Sequence, residues 1–126
     1  MNKNAYSLLG GKSLPNCSKC NKCIKTIDII PCRCVCSINN TELTLNGVTK
    51  TDNCCGINLK IDYTISCSYQ DNKCQNTSIC KECSLTYLIP NCCNSNVNPV
   101  VNFECLDIEQ ISNNMILVKA KCNIGY

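Results

Sequence analysis

"INLKIDYTISCSY", residues 57–69, alternates without a break. Ile57, Leu59, Ile61, Tyr63, Ile65, Cys67 and Tyr69 carry one parity; Asn58, Lys60, Asp62, Thr64, Ser66 and Ser68 carry the other. Successive side chains of a strand point to opposite faces, so this stretch reads as one half-buried antiparallel strand with an apolar inner row.

The flanking segments show the same period. In "CRCVCSI" Cys32, Cys34, Cys36 and Ile38 share one parity and so one expected strand face. "TELTLNGVT" repeats it with Leu43 and Leu45, and Asn46-Gly47 follows as a turn signal. "QDNK", residues 70–73, reads as a turn. Residues 74–84 read as a polar, cysteine-bearing loop, and "LTYLI" as a short strand stopped by Pro90. "VVNFECLDI" and "MILVKAKCNI" flank the hairpin signal "SNN". In the second of these, Ile116, Val118, Ala120, Cys122 and Ile124 face one way and Lys119 and Lys121 the other. The apolar parity of the first slips between Cys105 and Leu106, which predicts a bulge.

No stretch has a sustained helical period. Short strands joined by Asn/Gly turns predict an all-β chain, an antiparallel β-sandwich or jelly roll over residues 32–126. Residues 1–31 have no sustained period, are punctuated by Gly10-Gly11, Pro15 and Pro31, and are expected to form a flexible N-terminal arm bearing Cys17, Cys20 and Cys23.

The 126 residues suit one domain with a real apolar core. Net charge is +3, the lysines are scattered, and Arg33 is the one arginine. Nucleic-acid binders rely on arginine forks and clustered charge, so no nucleic-acid partner is expected. No apolar run is long enough for a signal h-region or a membrane span, so no membrane partner is expected either. Abundant Asn, Ile and Lys fit an AT-rich genome, and the asparagines argue against a hyperthermophile.

Catalytic groups are scarce. There is no histidine to activate a cysteine, and Asp28, Asp62, Asp71 and Asp107 show no paired-carboxylate spacing. Gly10-Gly11-Lys12-Ser13 matches only the tail of a P-loop, and "CKEC" at 80–83 has no βαβ context for a thioredoxin-like site. Asn16, Asn39 and Asn76 head glycosylation triplets that matter only in a secreted eukaryotic protein. The expectation is a non-enzyme with no cofactor.

Sixteen of the 126 residues are cysteine, above the ~8–10% that marks a disulfide scaffold. Disulfides persist in oxidising compartments, yet no export signal is visible. Metal binding in the cytosol, release from a lysed cell, or a trimmed export sequence would each resolve this. The metal reading is weak in its ligands. C-x2-C-x2-C at 17–23 fails the ferredoxin run, because residue 27 is Ile. A zinc site would have to join Cys17 and Cys20 to the distant Cys80 and Cys83. The aliphatic pattern also excludes a metallothionein-like chain.

As disulfide partners, Cys67, Cys105 and Cys122 fall on apolar strand faces and are expected inside. Cys32, Cys34 and Cys36, roughly 6.5–7 Å apart along a strand, must bond elsewhere rather than to one another. The vicinal pairs Cys54-Cys55 and Cys92-Cys93 point to opposite sides in extended backbone. If Cys55 keeps the inward parity of Ile57, Cys54 points outward. Over sixteen cysteines, at least one intermolecular bond is expected. An arm laid on a neighbour's sheet edge and locked by disulfides would join copies head-to-tail into filaments or lattices.

Vicinal "CC" pairs, a short cysteine-bearing N-terminal arm, an alternating β core of this size, AT-rich bias and no signal peptide together resemble cysteine-rich spore-surface proteins of Bacillus and Clostridium. These include exosporium lattice proteins and subunits of endospore appendage fibres. In the fibre family the "CC" lies in the arm, whereas here the pairs lie in or beside the β core. The resemblance implies jelly-roll subunits stacked through covalent N-terminal connectors. It also implies synthesis in the mother cell without a signal peptide, oxidation as the spore matures, and an extracellular place on the spore surface.

The expected function is that of a self-assembling structural subunit whose partner is itself. Cys17, Cys20 and Cys23, with Cys54, Cys92 and Cys93, are the candidates for bonds between copies. Cys32, Cys34, Cys36, Cys55, Cys67, Cys105 and Cys122 are the candidates for bonds within one chain. The alternatives are a cytosolic thiolate metal protein, holding metal at Cys17, Cys20, Cys80 and Cys83, and a secreted monomeric disulfide-rich binding domain.

Overall fold

The structure, a computed structural model, describes residues 21–90 and 98–126. Six strands follow one another among them: β1 (Asn21–Pro31), β2 (Val35–Asn53), β3 (Gly56–Asp71), β4 (Asn76–Pro90), β5 (Val100–Ser112) and β6 (Met115–Gly125). All pairing is antiparallel, in two three-stranded sheets ordered β1-β6-β5 and β2-β3-β4. No helix among the described residues is long and apolar enough to cross a membrane.

The middle strand of each sheet carries the core. All seven inner residues of β3, from Ile57 to Tyr69, are buried, as the alternation predicts. So are Ile116, Val118, Ala120, Cys122 and Ile124 of β6. The two rows pack on each other. Tyr63, Ile65, Cys67 and Tyr69 meet Ile116 and Val118 near one end; Ile57, Leu59 and Ile61 meet Cys122 and Ile124 near the other. Phe103 of β5 touches both groups, its ring centroid 4.5 Å from that of Tyr63. Burying one such aliphatic or aromatic side chain contributes about 1.5–3 kcal/mol.

The other strands differ from the sequence expectation in instructive ways. Residues 21–31, read as part of an arm, form β1, which pairs with β6 along its whole length from Asn21↔Gly125 to Pro31↔Met115. Its period is obscured because apolar residues occupy both faces. Ile24 and Ile30 point inward with Thr26 and Asp28, while Ile27 and Ile29 are 68% and 46% exposed. Residues 76–90 are one continuous strand, not a loop followed by a short strand. Lys81 interrupts its inner row, yet its ammonium reaches past the apolar edge to donate to the Ile29 carbonyl of β1 at 2.9 Å.

Asn46-Gly47 is a bulge inside β2, with a register shift between Leu45 and Gly47, not a turn. β3 offers backbone partners along the whole length, so the chain continues rather than folding back, and the Asn46 amide donates to the Thr64 hydroxyl at 2.6 Å. Residues 32–34 are likewise not strand. They carry the chain from one sheet to the other. The N–H groups of Cys32 and Val35 donate to the carbonyls of Asn114 and Asn113 in the β5–β6 turn, both at 2.9 Å. Cys34 takes φ +53°, which resets the parity. Cys32 and Val35 therefore point inward, while Cys34 and Cys36 are exposed. The bulge expected at Cys105 is present, between Cys105 and Asp107. The Ser112–Met115 hairpin closes as expected.

Cys54 and Cys55 make the whole two-residue turn between β2 and β3. The Cys55 N–H donates to Asn53 Oδ1 at 2.7 Å, and Gly56 follows with φ +149°. At Gly56 a Cβ would collide with the Ile89 backbone carbonyl, whereas at Gly47 it would meet open space. Gly56→Ala is therefore expected to lower the unfolding free energy by at least about 1–3 kcal/mol in urea titration of the reduced protein. Gly47→Ala should stay within about 1 kcal/mol of wild type. Equal effects at the two positions would contradict this account of the hairpin.

Candidate functional site

Twelve cysteines lie among the described residues, and none is bonded to another. Their exposure sorts them sharply: Cys32, Cys67 and Cys122 are buried, Cys83 is half-buried, and the remaining eight are exposed. Cys17, Cys20, Cys92 and Cys93 lie outside the described residues.

The exposed thiols gather at turns. Cys54 and Cys55 sit on the β2–β3 turn with their Sγ atoms 3.6 Å apart. Cys34, Cys36 and Cys74 sit at the opposite end of the same sheet, where Val35 pairs with Asp71. The 16 residues of β3 separate the two ends, a span of roughly 50 Å at about 3.3 Å per residue. Cys36 occupies the register shift between Val35 and Ser37. Cys74 takes φ +60° in a turn organised by Asp71, whose Oδ1 accepts the N–H groups of Lys73 and Gln75, each at 2.9 Å. Cys34 and Cys74 are the two non-glycine residues with positive φ among those described.

Three exposed thiols lie away from the turns. Cys23 stands on β1, not on an arm, opposite Asn123. Cys80 lies on the outer face of β4, 3.5 Å from the Ser66 hydroxyl. Cys105 lies just before the β5 bulge, paired with the inward Ala120 as expected but exposed on the edge strand rather than buried. Partial burial still pushes its thiol above the ordinary range. Cys55, also expected inside, is exposed because the turn precedes the inner row. Cys74 belongs to neither candidate set, although its position just after "QDNK" marks it as a turn thiol.

The Cys80/Cys83 metal pair is split. Three residues apart on a strand, the two point to opposite faces. Cys83 faces inward and donates to Asp28 Oδ1 at 3.7 Å, while Asp28 Oδ2 accepts the Tyr63 hydroxyl at 3.0 Å. Burial first, then the negative Asp28, raises the Cys83 thiol, and the same pair of causes raises the Tyr63 phenol. Both groups are thereby held neutral, so this contact ties β1 to β3 and β4 rather than activating a nucleophile. Among the described residues, no three Cys, Asp or Glu side chains converge as a metal would require.

Cys23 and Cys122 are neighbours in register but stand on opposite faces of their sheet, since Cys122 pairs with the inward Ile24. Burial, with a smaller contribution from the charge of Cys23, pushes Cys122 up to about 11.

The folded state therefore holds the Cys122 proton more tightly than the unfolded chain does. The stability this contributes is fully present below the ordinary thiol value of 9.0 and is lost as pH rises toward about 11. Each tenfold gain in proton affinity corresponds to about 1.4 kcal/mol. Denaturant titrations of the reduced protein are expected to show stability falling across that window, with a shallower fall in Cys122→Ala. Parallel pH profiles would refute this.

No protein-family model, curated protein or solved structure matches the chain.

Proposed function

We propose that this chain is a structural subunit that assembles with copies of itself and is locked by disulfides between them. The body is a β-sandwich of jelly-roll character. The assembly is a filament or lattice outside the cell, of the kind formed by spore appendages or the exosporium. It is made in the mother cell and oxidised as the spore matures. The N-terminal residues, with Cys17 and Cys20, reach a neighbouring copy head-to-tail, and Cys23, Cys54, Cys92 and Cys93 offer further bonds.

One observation carries this reading: eight of the twelve described cysteines are exposed on a body whose core is almost wholly aliphatic and aromatic. A self-contained disulfide domain turns its cysteines toward one another. Here thiols sit at both ends of a long sheet, too far apart to meet within one chain. The alternative of a thiolate metal protein loses its Cys80/Cys83 ligand pair to opposite strand faces.

The test is denaturing electrophoresis of native material after capping of free thiols, with and without strong reductant. The expected result is a ladder or immobile band that collapses to the 13.9 kDa chain only with reductant. A single-chain band in both lanes would overturn the covalent assembly. The capped-thiol count would then separate the alternatives, with mostly free thiols pointing to metal and none to a monomeric disulfide domain.

A further inference from the structure

The corner between β1 and β2 opens onto a cleft of about 470 Å³, lined by Cys32, Arg33, Tyr69 and Asp71 among others. Clefts of roughly 300–1,000 Å³ suit small molecules. Arg33 is the only arginine of the chain. Its backbone N–H donates to the Tyr69 hydroxyl at 3.2 Å. The Asp71 carboxylate on the same wall is already engaged, with Oδ1 accepting the Lys73 and Gln75 amides. The wall thus carries the Arg33 cation beside the Cys32 thiol.

Cys67 shares a core cluster with Cys32. It stands two residues from Tyr69 on the inner row of β3, and both cysteines belong to one core cluster with Tyr69. The Arg33–Tyr69 bond and the Val35↔Asp71 pairing bring the corner down over this part of the row. Cys32 is 7% exposed and lines the cleft; Cys67 is 1% exposed and does not. The charge of Cys67 adds to burial in raising the Cys32 thiol, as it also does at Cys105 on β5.

We propose that Cys32 and Cys67 form an internal disulfide, closed through this cleft by exchange with a small carboxylate-bearing disulfide of the glutathione type. Arg33 receives the carboxylate. The Cys32 thiol gives up its proton and its sulfur attacks one sulfur of the small disulfide; that S–S bond breaks, and the released thiolate takes a proton. The product is a mixed disulfide on Cys32. Cys67 then loses its proton and attacks the Cys32 sulfur, expelling the second small thiol. Two protein thiols are oxidised by two electrons, and one small disulfide is reduced to two thiols. Burial keeps the attacking thiol largely protonated, so the exchange proceeds on the order of minutes to hours. The bond joins the sheet-to-sheet corner to the central strand of β2-β3-β4. It stands apart from the assembly reading, because it adds nothing to chain mass on a gel.

The sequence makes the test clean. Trypsin releases residues 26–33 with Cys32 as their only cysteine, and residues 61–73 with Cys67 as theirs. The full chain is reduced, refolded, exposed to oxidised glutathione, capped in denaturant and run without reductant. The single-chain band is then digested and mapped by mass spectrometry. Wild type is expected to yield 26–33 linked to 61–73. Cys67→Ala should trap one glutathione on 26–33, and Cys32→Ala should leave 61–73 without an adduct. Recovery of both peptides capped, linkage of either to another peptide, or linkage of 61–73 to the fragment 82–119 that carries Cys105 would overturn the proposal. The wild-type map decides it even where a variant fails to fold.

Discussion

The packing of the β3 inner row against the β6 inner row is the contact on which the rest of the molecule depends. Among the described strands, β3 alone has an unbroken apolar row of seven, and it has a bonded neighbour on each side. Its length dictates that β2 and β4 extend to 19 and 15 residues, because each unpaired backbone group beside it would otherwise need another partner. β6, with five buried residues, forms the opposing row, and β1 and β5 flank it. The two buried mid-strand cysteines, Cys67 and Cys122, occupy positions in these rows as small apolar groups.

The sharpest constraint away from the core falls at residues 32–34, where three residues cross from one sheet to the other. The crossing works because the corner continues the β1–β6 ladder onto the Asn113-Asn114 turn before it leaves. Gln110 then donates its side-chain amide to the Val35 carbonyl at 2.9 Å, fixing the start of β2 beside β5. Cys34 supplies the left-handed residue this geometry demands. Glycine or asparagine would adopt that conformation more cheaply, and the same holds for Cys74. Two cysteines at the two costly backbone positions suggest that the thiol, not the backbone, explains the residue chosen.

The fold is legible in the sequence where one physical rule governs: β3, β6, the β5–β6 hairpin and the Cys105 bulge all follow from two-residue alternation against an apolar layer. It is not legible where a second rule intervenes. Ile27 and Ile29, exposed on β1, hide a strand whose inner positions are partly polar, with Asp28 satisfied by Tyr63. Lys81 does the same on β4 by reaching across to a β1 carbonyl. Asn46-Gly47 carries a valid turn signal that β3 overrides by offering continued pairing. The cysteine parity at 32–36 breaks at a single left-handed residue. Candidate positions fare alike: Cys67 and Cys122 are legible from periodicity, whereas Cys55 and Cys74 depend on where turns fall and Cys105 on which strand lies at an edge.

The distribution of thiols also bears on what a disulfide can contribute here. A bond within one chain acts mainly by restricting the unfolded chain, worth about 2–4 kcal/mol in a typical case. A bond between two folded copies leaves the folding equilibrium of each almost untouched and instead makes their separation a chemical event. Cys54 and Cys55 lie a full β3 length from Cys34, Cys36 and Cys74, so no bond within a chain can join the two groups without dismantling the sheet. Only near neighbours or another copy can serve them. Cys54 and Cys55 have each other at 3.6 Å, but a bond between adjacent residues strains the turn they form. In the proposed assembly an external partner would relieve that conflict at one end, and the thiols at the far end would present the same chemistry to the next copy. In the proposed assembly the hairpin end would meet the far end, which carries the two left-handed cysteines Cys34 and Cys74, head-to-tail. A directional contact propagates where a two-fold contact closes.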